Sequence, residues 1–144
     1  MEKFLKYWFS GFEEAIGKME EKDRSTIFRE CGRACSSSYS RQRYLEARMA
    51  SGNDRELMEK LKEYFPEMEI TVLEEGHVYR IIYRFCACDL VKNKLVSSPQ
   101  LCECSRYSLL YNWEAISGES TVKAELERSI LGGAPYCEFI VSIS

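Results

Sequence analysis

The sequence predicts an α+β domain: N-terminal helices packed on an antiparallel sheet, with two hairpins separated by a helix. Three observations lead there. Up to residue 65, apolar residues recur at spacings of three and four, the period of a helix. Beyond it, short β-rich runs alternate apolar and polar, as strands with one covered face do. Those runs come in neighbouring pairs joined by short turns, which makes them antiparallel hairpins. The 144 residues, 45% hydrophobic and 30% charged, fit a single domain over 1–144.

The first helix is expected over 2–20, with Phe4, Leu5, Trp8, Phe9, Phe12, Ile16 and Met19 on its apolar stripe. A second is expected over 24–36, capped by Asp23 or Ser25. "SSSYS" interrupts the pattern before a third helix near 40–50. Asn53 or Asp54 caps a fourth over 54–65, which Pro66 ends. "MEITVLEE" then reads as a strand over 68–74, with a turn at 75–77 holding the only histidine, His77. "VYRIIYRFCA" is its hairpin partner. Residues 89–100 read as a loop. Ser105 is expected to cap the helix "RYSLLYNWEAIS", which Gly118 closes. The strands "TVKAELERSI" and "YCEFIVSIS", joined by "LGGAP", complete the chain.

The net charge of −3 speaks against a nucleic-acid binder, which carries a basic footprint. Arg41, Arg43 and Arg48 lie close in sequence and read as a solvated helix face. No stretch approaches the ~20 apolar residues of a membrane span, and the N-terminus lacks a signal-peptide core. The expectation is therefore a cytoplasmic protein whose seven cysteines stay mostly reduced.

Those cysteines are the strongest chemical signal. Cys86 and Cys88 form one Cys-x-Cys pair, Cys102 and Cys104 another. On an extended strand, positions two apart face the same side, so each pair would present both sulfurs together. Four converging thiolates suit zinc or iron. Buried packing and a reversible dithiol switch are the alternatives. Cys31 and Cys35, four apart in "RECGRACSSS", share one helix face, from which they could complete a metal site, face a ligand cavity or pack in the core. Gly32 between them suggests close approach of another backbone. Tyr107, Tyr111 and Trp113 make the late helix aromatic, either as core or as the wall of an apolar ligand pocket. No phosphate-binding glycine loop is present, and a single turn histidine offers no Cys-His catalytic pair.

From Cys102 or Cys104 through Gly118, Glu127, Gly133, Cys137 and Phe139, the final third resembles the four-vinyl-reductase domain. That resemblance covers roughly residues 100–143. It implies a small α+β ligand-binding module, related in fold to a vesicle-tethering subunit and dimeric. Its ligand would be small and apolar or aromatic, held between helices and sheet by residues such as Cys31, Cys35, Tyr107 and Tyr111. It also implies a zinc site from the first cysteine, Glu127 and Cys137, with Ser129 standing where a further cysteine is expected. Cys86 and Cys88 would then supply the missing thiolate, giving a metal set of Cys86, Cys88, Cys102, Cys104 and Cys137. A looser likeness to aminothiazoline carboxylate hydrolases gives the alternative of a cysteine-dependent hydrolase of a small heterocycle. Its thiol would be activated by Arg33 or Arg106.

Overall fold

The computed structural model describes residues 1–144. Six helices, α1 (Glu2–Lys18), α2 (Glu21–Cys35), α3 (Arg41–Met49), α4 (Asp54–Tyr64), α5 (Asp89–Lys92, a single turn) and α6 (Cys102–Ile116), accompany four strands. These are β1 (Met68–Glu74), β2 (Val78–Tyr83), β3 (Val122–Arg128) and β4 (Cys137–Ile143). The expected α+β fold is present: the helices pack on one antiparallel sheet of order β1-β2-β4-β3. Each expected hairpin forms, and β2 pairs with β4 to join them.

Local signals account for several boundaries. The Asn53 side chain accepts from the Glu56 backbone N–H at 2.9 Å and caps α4. Gly118 follows α6 with φ +60°, a left-handed conformation that only glycine adopts without strain. The cap expected for α2 does not form. That helix starts earlier, at Glu21, and no side chain caps it. Instead the Arg24 guanidinium donates back to the Met19 carbonyl at 2.9 Å, tying the start of α2 to the end of α1.

"SSSYS" does not break the chain into two helices. Ser36–Ser40 continues from α2 into α3 as a π-helical stretch, with helical φ and ψ at Ser36, Ser40 and Arg41. A widened turn of this kind needs outside support. Asn112 of α6 supplies it, its side-chain oxygen accepting from Ser36 Oγ at 2.7 Å and Ser40 Oγ at 3.0 Å.

Helix α6 is the centre of the domain, covered on two sides. Leu109, Trp113 and Ile116 join the main core against the sheet, with Tyr79, Ile81, Phe139 and Val141. Its opposite side meets α2 across Gly32. The rear of α1 closes a smaller apolar cluster through Ile16, with Phe28, Val96 and Leu101. The front of α1 is not covered, so Phe4, Tyr7 and Trp8 stay exposed. No helix is long and apolar enough to cross a membrane.

Candidate functional site

Two features deserve chemical description, one at each end of α6. At its C-terminal end lies a cavity of about 230 Å³. Leu57 and Met58 of α4, Tyr79 of β2, and Trp113 and Ile116 of α6 form its apolar wall. At its rim, Arg48 Nη1 pairs with Asp54 Oδ1 at 3.1 Å, and Ser117 and Ser120 add hydroxyls. Trp113 and Tyr79 stack with ring centroids 5.1 Å apart, and Tyr44 meets the indole edge-on at 6.1 Å. The Trp113 indole N–H is buried, with the Tyr44 hydroxyl as its neighbour.

At the N-terminal end of α6 the thiols gather, but not as two strand-borne doublets. The helix starts at Cys102 rather than after Ser105, because Ser98 and Pro99 launch a 3-10 turn, Pro99–Leu101, that runs directly into it. On a helix, residues two apart point roughly 200° apart, from 3.6 residues per turn. Cys102 and Cys104 therefore diverge. Cys102 is buried, hydrogen-bonded to Ser129, and feels Cys137, Cys86 and Cys88. Cys104 turns toward α2, where its neighbours are Cys35 and Cys31. Cys88 is within electrostatic reach of both Cys102 and Cys104, so it links the two groups. Cys137 is buried on β4 and its Sγ accepts from the Ile130 N–H at 3.3 Å.

The closed metal site expected from these residues does not fit this arrangement. No set of three His, Cys, Asp or Glu side chains is spaced to hold a metal ion. Glu127, which the resemblance would enlist, is exposed on β3. An activated nucleophile is not in evidence either. Burial pushes the Cys86 and Cys102 thiols up, and raises Cys104 to about 12. Arg33 is engaged with the Tyr111 hydroxyl at 2.7 Å, and Arg106 with Glu103 at 2.9 Å and the Ala124 carbonyl at 3.1 Å.

Neither Tyr107 nor Tyr111, the tyrosines expected to line a ligand pocket, lines this cavity. Tyr107 packs against α2 beside Gly32. Tyr111, with Arg33, lines an open surface groove of about 720 Å³ that also includes Arg41 and Glu114. The residues that do line this cavity, Leu57, Met58, Tyr79 and Ile116, read from the sequence only as core or strand positions. Their convergence depends on strand order and helix placement, and no local spacing announces it. His77 is an exposed turn residue, its Nδ1 3.2 Å from the Ile143 carbonyl oxygen. The three arginines that looked like a basic patch are not alike: Arg43 pairs with Glu46 and Arg48 with Asp54, while Arg41 lines the groove.

No family model matches the sequence, and no curated protein matches it. Solved structures do share the fold. One is the phenol-responsive sensory domain of the transcription activator PoxR with phenol, with TM-score 0.62 and 14% identity over 96% of this chain and 74% of that one. Another is a trafficking protein particle complex subunit 3 from Naegleria fowleri covalently bound to palmitic acid. Its TM-score is 0.57, with 13% identity over 99% of this chain and 95% of that one.

Proposed function

We propose that this protein is a small-molecule-binding sensor module whose ligand is a compact aromatic or apolar compound seated at the C-terminal end of α6. The observation that carries this reading is the 230 Å³ cavity walled by Trp113 and Tyr79 and rimmed by the Arg48–Asp54 pair. An apolar cavity of about 150 Å³ already accepts benzene, so a substituted ring fits here and a long acyl chain does not. The rim groups Arg48, Asp54, Ser117 and Ser120 would discriminate among polar substituents. A phenol-binding sensory domain and a palmitate-bound subunit among the fold's relatives support a ligand-binding role. Ligand would act on α6, which also anchors the π-helical stretch through Asn112.

The test is a panel of monocyclic phenols, benzoates and alkylbenzenes added to the reduced full chain. Thermal unfolding and Trp fluorescence are read, with Trp8→Phe leaving Trp113 as sole indole. A ligand at 100 times its Kd stabilises by about 2.7 kcal/mol, a shift of several degrees. No shift and no change of Trp113 emission across the panel would reject the reading.

A second reading, redox sensing, is favoured by the gathering of Cys86, Cys88, Cys102 and Cys137 around the head of α6. A free-thiol count before and after hydroperoxide treatment reads it: loss of two thiols, restored by dithiothreitol, is expected. The homodimer implied by the resemblance would draw on Phe4, Tyr7 and Trp8, which face outward on α1. Sedimentation of the wild type against Trp8→Glu tests that.

A further inference from the structure

We propose that Cys31 and Cys35 on α2 form a two-sulfur clip for a soft, thiophilic cation of the Cu(I) type, separate from the aromatic cavity. Both thiols are exposed, four residues apart on an intact helix. Helical neighbours at that spacing have Cβ atoms about 5–6 Å apart. A disulfide needs Cβ atoms only ~3.5–4.5 Å apart, so joining these two directly would distort the helix. A single ion bonded to both is less demanding. With metal–sulfur bonds near the ~2.3 Å of zinc thiolates, a linear S–metal–S unit spans about 4.6 Å. The helix therefore holds the pair too wide for a sulfur–sulfur bond and at a span that one bridging ion fits.

Two sulfurs suffice for this chemistry. Thiolates select Cu(I) among biological cations, and a two-coordinate ion needs no third donor. That distinguishes the clip from zinc, whose structural sites take four ligands and for which no three-donor group exists here. A further observation favours α2. Cys104 of α6 lies beside both residues, close enough that charge on either is felt at its sulfur. The Gly32 contact fixes the two helices at this point.

The clip is also open to a cation arriving from solvent. Cys31 and Cys35 are both exposed, whereas Cys102 and Cys137 are buried. Each thiol bonds through its sulfur and releases its proton to solvent. Two S–H bonds break, two S–Cu bonds form, and no electron is transferred.

The experiment is anaerobic competition, with the reduced full chain withdrawing Cu(I) from its bicinchoninate complex. One equivalent is expected in the wild type, with a sulfur-to-copper charge-transfer band in the ultraviolet. Cys31→Ser and Cys35→Ser should each weaken uptake at least tenfold. Because both side chains are exposed, circular dichroism should stay unchanged. Cys86→Ser/Cys88→Ser should keep the copper, and Zn(II) should not compete for it. Uptake that survives Cys31→Ser/Cys35→Ser overturns the proposal, as does uptake lost with Cys86→Ser/Cys88→Ser, or a wild-type chain that takes no copper.

Discussion

Gly32 of α2 and Cys104 of α6 are so close that a Cβ at residue 32 would stand 2.8 Å from the Cys104 carbonyl oxygen. It would also meet the Tyr107 Cβ at 2.6 Å and the Ser108 nitrogen at 2.9 Å. These are mostly backbone atoms, and they cannot swing aside as a long side chain would. Alanine in a helix normally gains up to about 1 kcal/mol over glycine. Here overpacking, at roughly 1–3 kcal/mol, should outweigh that gain. Gly32→Ala is therefore expected to lower the urea midpoint. Gly17→Ala in α1, where nothing lies within 4 Å, should raise it. Equal behaviour of the two variants would mean that the helices separate freely.

The π-helical stretch rests on one acceptor. Ser36 is fully buried, and it and Ser40 both donate to the Asn112 side-chain oxygen. Asn112→Ala strands two donors, at about 1–3 kcal/mol for a buried one. Ser36→Ala removes one donor and leaves Asn112 its bond to Ser40, so it should cost less. Chemical unfolding of both variants reads the order. Hydrogen exchange in Ser36–Ser40 should rise most in Asn112→Ala.

Much of the architecture was legible where the signal was local. The Met68–Glu74 strand, the Asn53 cap and the close approach at Gly32 each depend on a few adjacent residues. Order along the chain also gave the α+β class. The sulfur geometry was not legible. Whether Cys102 and Cys104 share a side depends on whether they sit on a strand or a helix. The deciding residues were Ser98 and Pro99, a serine cap before proline at the first helical position. The continuity of α2 into α3 was hidden because four serines and a tyrosine disfavour helix locally, and only Asn112, 76 residues from Ser36, compensates. The cavity was illegible for a related reason: its walls come from α3, α4, β2, α6 and β4.

Stability should fall at alkaline pH, and Cys104 should contribute. Burial is the leading cause that raises its thiol from 9.0 to about 12, with Cys35 and Cys31 adding to it. The unfolded chain then loses this proton first, so the folded state holds more protons between those values. A raised acid of this kind gives its full stability below the unfolded value, and that contribution declines as pH rises from 9 toward 12. Cys86 and Cys102 are raised in the same direction. Thermal unfolding from pH 7 to 11 should show a declining limb that Cys104→Ala makes shallower. An unchanged slope would mean that Cys104 is not buried in solution.

The last expectation concerns the cavity itself. Leu57 is 3% exposed and forms part of the wall opposite Trp113. Phenylalanine at this position places a ring into space that leucine leaves empty. Overpacking generally costs about 1–3 kcal/mol, but a void beside the side chain absorbs much of the added volume. Leu57→Phe should therefore stay within about 1 kcal/mol of the wild type and respond to no ligand in the panel. Tyr111→Phe removes the hydroxyl bonded to Arg33 in the open groove, away from the cavity wall. It should leave the ligand response intact. If Tyr111→Phe abolishes the response and Leu57→Phe keeps it, the ligand occupies the groove and α6 is read from its α2-facing side.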